Sequence, residues 1–183
     1  MGNLIYVALA SLDGYVEDAS GSFERLAPDE EVHAFVNDLE RPVRTHLYGR
    51  RMYEVMSVWE TLDDPEPVMR DFAGIWRTAD KVVYSRTLAA PTTERTSVER
   101  DFDRAAVREI KAATEHDLSI GGAQIAAEAF RAGLVDEIHL LLAPVLFGAG
   151  KPALPAGLSL DLELVSQRRF AGGVVHLHHR LAG

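Results

Sequence analysis

Three short stretches of this sequence combine glycine with arginine or a small polar residue in a way suited to holding phosphate. They are Gly49-Arg50-Arg51-Met52, Ser85-Arg86 and Gly121-Gly122-Ala123-Gln124-Ile125. Glycine lets a diphosphate come up against the backbone, where N–H groups donate to it, and guanidinium groups supply the forked donors that a phosphomonoester accepts. Each stretch taken singly is also an ordinary strand end beside a solvated arginine, because short motifs match often by chance. Together they describe a nucleotide-like ligand with an extra phosphate. They do not by themselves name a reaction.

Such groups act together only if the fold brings them to one place, and open α/β sheets do this by binding ligands beyond the carboxyl ends of their strands. Residues 4–10 form an apolar, β-branched run ended by Ser11-Leu12-Asp13-Gly14, which predicts a buried strand and a turn. Pro28 opens a helix with Asp29, Glu30 and Glu31 in its first turn and an apolar stripe of Val32, Phe35, Val36 and Leu39. Residues 43–48 read as a strand that passes through Gly49 into a helix ending near Ser57. After Pro65 and Pro67 the chain is helical to Trp76, and residues 81–84 form a strand ending in Ser85-Arg86. Residues 95–99 predict a short strand, Asp103 caps a helix running to Ala113, and residues 118–120 form a strand leading into Gly121-Gly122. The next helix, from 123 to about 132, stops at Gly133. All three phosphate-suited stretches therefore follow strands.

Strands alternating with helices pair in parallel and need cover on both faces. The last third breaks the rhythm: residues 138–142, 160–170 and 174–181 are strand-like, with Gly172-Gly173 as a hairpin turn. The expected fold is one α/β domain over residues 1–183, with a mixed, mostly parallel central sheet, flanking helices and an antiparallel C-terminal hairpin edge.

Composition narrows the function classes. A chain of 183 residues with 47% hydrophobic content has enough apolar material for a sizeable single core. Its formal net charge of -9 argues against a nucleic-acid or anionic-membrane partner, both of which favour basic surfaces. The absence of cysteine removes disulfides, thiolate metal sites and thiol nucleophiles. No apolar stretch is long enough to span a bilayer, and residues 3–10 lack the basic flank of a signal peptide. The expectation is a cytoplasmic protein whose partner is a small molecule.

The order of motifs adds a resemblance. Residues 7–14 (VALASLDG), 49–54 (GRRMYE), 82–86 (VVYSR), 120–123 (IGGA), 135–138 (VDEI) and 143–148 (APVLFG) span nearly the whole chain. In this order they resemble the dihydrofolate-reductase-like family, and specifically the reductase domain of the riboflavin-pathway bifunctional deaminase-reductase and its stand-alone relatives. The resemblance implies NADPH as the cofactor. It places the Ala8 backbone at the nicotinamide, and Asp13 and Gly14 in the loop closing over the ring. Gly49, Arg50, Arg51 and Met52 are implied at the diphosphate and 2′-phosphate, with Ser85 and Arg86 on the adenosine side. Gly121, Gly122, Ala123, Gln124 and Ile125 are implied along the diphosphate and nicotinamide ribose, and the two glycines are implied to be joined by a cis peptide. In dihydrofolate reductases an acid early in the first helix supplies the proton and a phenylalanine one turn later packs on the substrate; Glu31 and Phe35 match that spacing. Acids in a first helical turn are also routine partners of the helix dipole, and Asp13 and Asp18 are rivals for the proton. The resemblance further implies a homodimer through the C-terminal strands.

Other features have plainer readings. His176 and His178 alternate onto one strand face, as metal ligands do, but no carboxylate stands at matching spacing, so solvent-facing histidines and no metal site are expected. Trp59 and Trp76 are expected as packing anchors, with Trp59 also at the border of a substrate pocket. Gly148-Ala149-Gly150-Lys151 lacks the full spacing of a phosphate loop. Two functions follow: an NADPH-dependent reductase of a small heterocycle such as a pteridine or ribosylaminopyrimidine, or a non-catalytic nucleotide-binding module on the same fold.

Overall fold

The N-terminal apolar run forms β1 (Leu4–Ser11), which lies in the interior of an eight-stranded sheet. The computed structural model describes residues 1–63 and 65–182. The other strands of this sheet are β3 (Val43–Gly49), β4 (Asp80–Tyr84), β5 (Thr96–Glu99), β6 (Asp117–Gly121), β7 (Glu137–Ala143), β9 (Leu162–Arg169) and β10 (Val175–Leu181). Their spatial order is β5-β4-β3-β6-β1-β7-β10-β9. From β5 to β7 every neighbouring pair is parallel, whereas β10 runs antiparallel to both β7 and β9. The mixed sheet with an antiparallel hairpin edge is thus the one the alternating pattern implies. Gly173 (φ +88°) supplies the left-handed backbone of the hairpin turn.

Helices cover both faces. On one, α4 (Arg104–Ala113) and α5 (Ala123–Arg131) set Val107, Ala126, Ala129 and Phe130 against Leu4, Tyr6, Leu118 and Ile120. On the other, α1 (Glu30–Glu40) seats Val32 against Leu141 and Phe170, while α3 (Pro67–Thr78) seats Phe72 and Trp76 against Tyr48 and Val83. Asp29 is the N-cap of α1 and not a first-turn residue, since its carboxylate accepts from the Val32 N–H at 2.9 Å. Asp103 caps α4 as expected. Among the described residues no helix is long and apolar enough to cross a membrane.

Two elements escape the sequence pattern. β2 (Tyr15–Asp18) and β8 (Gly150–Pro152) form a small antiparallel ribbon whose short, half-buried strands carry no clear alternation. Here lies the glycine-lysine stretch: Lys151 is ion-paired to Glu17, and a Cβ on Gly150 would stand 1.9 Å from the Glu17 carbonyl oxygen. Gly150 thus permits the two strands to approach.

Beneath α1 the sheet buries charge-capable groups. Glu40, at the end of α1, accepts from Ser119 Oγ at 3.3 Å and lies 3.8 Å from His46 Nδ1. Burial pushes the Glu40 carboxyl up to about 7 and His46 down to about 3, so both favour their neutral forms.

Candidate functional site

Parallel register aligns the phosphate-suited stretches at one edge of the sheet. Tyr48 lies beside Gly121, and Gly49 beside Tyr84, so β3, β4 and β6 end side by side. α2 (Arg50–Met56) begins at Gly49 and α5 begins at Gly122; neither has a side-chain cap. The first backbone N–H groups of both helices, from Arg50, Arg51 and Met52 and from Ala123, Gln124 and Ile125, thus emerge together at this edge. Dipole and donors alike favour an anion there.

The glycines are required by shape. A Cβ on Gly121 would come within 2.8 Å of the buried Tyr48 ring; one on Gly122 would lie 3.3 Å from Met52 Cβ and 3.8 Å from the Gly49 nitrogen. Gly122 has φ +101°, a conformation that side chains disfavour. The Gly121–Gly122 peptide is trans, which corrects the cis bond expected by resemblance. Ile125 Cγ2 closes the other flank, 3.7 Å from where a Gly49 Cβ would be. This bare backbone cradle fits a diphosphate, which needs close approach and unclaimed N–H donors.

The basic residues stand nearby with weak attachments. Arg50 donates to Glu54 at 3.2 Å and Arg86 is paired with Asp101, both on the surface; Arg51 is exposed. Exposed pairs of this kind contribute little and yield readily to a phosphate. Ser85 is buried and its hydroxyl accepts from the Thr87 and Leu88 N–H groups at 3.2 and 3.0 Å, so it shapes the turn after β4. Arg100, which sequence reading missed, donates to the carbonyls of Ser85 and Leu88 at 3.3 and 3.0 Å. It follows β5, whose pairing beside β4 no local signal announces.

The loop after β1 is locked. Asp13 accepts from Ser11 Oγ at 2.6 Å, Phe147 N–H at 3.1 Å and Gly148 N–H at 2.7 Å, and these bonds, the Ser11 hydroxyl foremost, hold its carboxyl down to about 2. An acid ionised throughout the neutral range has no proton to give. Gly14 (φ +86°) makes the turn, and Ala8 is buried within β1 beside Leu140. Asp18 is likewise held below its usual range, by the Ser20 hydroxyl and the Ser22 N–H.

Glu31 faces the hairpin turn, accepting from Arg168 Nη2 at 3.1 Å and from the Ala171 N–H at 3.0 Å. Phe35, one turn on, packs edge-on against Phe170 and His176 at 5.2 and 4.7 Å between ring centres. The structure brings these two together, but as anchors of the C-terminal hairpin. Trp59 packs on Phe72 at 4.7 Å and near His33 at 5.9 Å, between α1 and α3.

His176 and His178 do not face solvent as expected. They lie beside His139, and the carboxylate missing from their own strand is Glu137 on β7. Spacing within one strand cannot show what the neighbouring strand contributes.

Comparison with known proteins identifies the family and the fold. Residues 3–176 match the model of the RibD C-terminal domain. The chain is 26% identical over 177 residues to protein YyaP of Bacillus subtilis (strain 168), covering 94% of this chain and 92% of the relative. Its fold is similar to that of a Shewanella sp. PV-4 protein described in terms of riboflavin biosynthesis, with TM-score 0.78 at 19% identity over the whole of both chains. It is also similar to the Thermotoga maritima diaminohydroxyphosphoribosylaminopyrimidine deaminase/5-amino-6-(5-phosphoribosylamino)uracil reductase, with TM-score 0.70 at 13% identity over 99% of this chain and 57% of that one. With a family match over nearly its full length and a glycine cradle at the carboxyl edge of a parallel sheet, the chain belongs to the RibD C-terminal domain family of reductase-like proteins.

Proposed function

We propose that this protein is an NADPH-dependent reductase of a small heterocycle, with a ribosylaminopyrimidine of the kind named for the Thermotoga maritima relative, or a pteridine, as the substrate class. The observation that carries the reading is the cradle in which Gly49 and Gly122 open two uncapped helices side by side. When bound, NADPH supplies the hydride. The protein's own residues bind and orient: the Gly121-Gly122 backbone and the first turns of α2 and α5 hold the diphosphate, and Arg50, Arg51 and Arg86 neutralise the 2′-phosphate. The locked loop at Asp13 and Gly14 borders the nicotinamide side. Titration with NADPH followed by fluorescence and thermal shift tests the binding, and NADPH oxidation across pyrimidines and pterins tests the reaction. Replacing Arg50 and Arg51 together with Ala should weaken NADPH by roughly 10–100-fold, the scale of lost charge-assisted hydrogen bonds, and NADH far less. Equal losses for both dinucleotides would remove the 2′-phosphate role.

A second reading, a nucleotide-binding module without turnover, is favoured by one observation. Glu31 is engaged by Arg168 and Ala171, and Asp13 is held ionised, so neither acid stands ready to protonate a substrate. In the reductase reading the proton comes from water at the ring. NADPH binding without oxidation across the panel would select the module.

A further inference from the structure

Far from the cradle, at the amino end of β7, one carboxylate and two imidazoles converge. β7 and β10 are antiparallel with His139 opposite His178 and Glu137 opposite Arg180, so Glu137, His139, His176 and His178 share one face. His178 Nε2 lies 2.9 Å from Glu137 Oε2, and His139 Nε2 lies 3.8 Å from the same oxygen. One ligand atom from each of the three residues falls within 4.8 Å of the others. The His139 and His178 rings stack with centres 4.1 Å apart.

A sheet face tiled with imidazoles buries less apolar area than the aliphatic and aromatic side chains, Leu141, Phe35 and Phe170 among them, that pack beside it. Two imidazoles and a carboxylate are the donors that zinc and related divalent ions take, with water completing the tetrahedron. Tetrahedral zinc at about 2.0–2.1 Å from each donor sets its donors about 3.3 Å apart, a value bracketed by the two separations to Glu137. His139 Nδ1 lies 3.0 Å from His176 Nε2, the outer contact that orients a ligating imidazole and leaves its other nitrogen for the ion. The cluster is open to solvent at Glu137 and His178, whose side chains each retain 15% of their exposure. Glu137 Oε1 is occupied by Asn3 Nδ2 at 3.4 Å and by the half-exposed Arg180 at 3.6 Å, which leaves Oε2 for an ion.

We propose that Glu137, His139 and His178 form a binding site for one divalent ion of the zinc class, held across the β7–β10 pair. The site lies at the strand ends opposite the cradle, so its ion takes no part in hydride transfer. It staples the C-terminal hairpin to the parallel body, adding to the backbone pairing and the polar side-chain contacts that already join β7 and β10.

Calorimetric titration of chelator-treated protein with zinc sulfate tests this, together with cobalt(II) absorption spectra. Expected are one equivalent per chain, visible d–d bands of tetrahedral cobalt, and a raised melting temperature with excess zinc. His178→Ala and Glu137→Gln should each weaken zinc at least about tenfold while leaving the circular dichroism spectrum unchanged. His179→Ala, on the same strand but facing the opposite side, should not. Absence of stoichiometric zinc and of cobalt bands in the native chain, undiminished affinity in both ligand variants, or an equal loss in His179→Ala would each overturn the proposal.

Discussion

At the residue scale, the site depends on what glycine lacks. Tyr48 is buried against Gly121, so a methyl group there has to push the packed ring aside. Gly121→Ala should therefore destabilise the protein by about 1–3 kcal/mol, the range for overpacking a filled interior, and loosen NADPH as the cradle deforms. Gly74 provides the contrast: it lies in α3 with open space around it, and Gly74→Ala should stabilise by about 0.5–1 kcal/mol through helix propensity. Thermal denaturation of the two variants checks both signs; a Gly121→Ala protein as stable as the native chain would mean that the cradle tolerates a side chain. Residue types were legible in the sequence, and partners were not. Arg86 is paired with Asp101, Ser85 spends its hydroxyl on its own turn, and Asp13 became a clamp between loops 134 residues apart. Such pairings depend on which strand ends become neighbours.

At the element scale, α1 carries a group that links stability to pH. Glu40 has a folded-state pKa of about 7 against an ordinary value of 4.5, so the folded chain binds its proton more tightly than the unfolded one. Its contribution is fully present below about 4.5 and is lost as pH rises through 7. Gln at this position cannot ionise. The melting temperature of Glu40→Gln minus that of the native protein should hence be several degrees more positive at pH 8 than at pH 5, about 3 kcal/mol at most being involved. His46 is present in both proteins and largely cancels from the comparison. A difference independent of pH would show that Glu40 is hydrated or ion-paired in place. The helices themselves were readable from caps and stripes: Asp103 begins α4, and Val32 faces the core. β2 and β8 were not, because three- and four-residue strands held by one ribbon carry too few side chains to show a period.

At the scale of the whole molecule, one edge of the sheet is left uncovered. β9 is the outermost strand, every one of its residues is exposed, and Leu162, Leu164 and Val165 are open to solvent. Native sheets rarely leave such an edge unprotected. We propose that a second copy covers it, in line with the homodimer implied by the family resemblance. Light scattering at tens of micromolar should give twice the 20.1 kDa chain mass, and Leu164→Glu should return it to one; a native monomer at that concentration would exclude this interface. The alternation of strand and helix, the apolar stripes, the glycine-arginine junctions and the late hairpin were all determined by the sequence itself, since each arises from periodicity or backbone freedom within a dozen residues. Only the tertiary structure decided that Gly49 would stand against Gly122, that Glu31 would turn to Arg168, and that Glu137 and His139 would join histidines some forty residues later. Those meetings are set by strand order and register across the sheet, which no local pattern in the chain encodes.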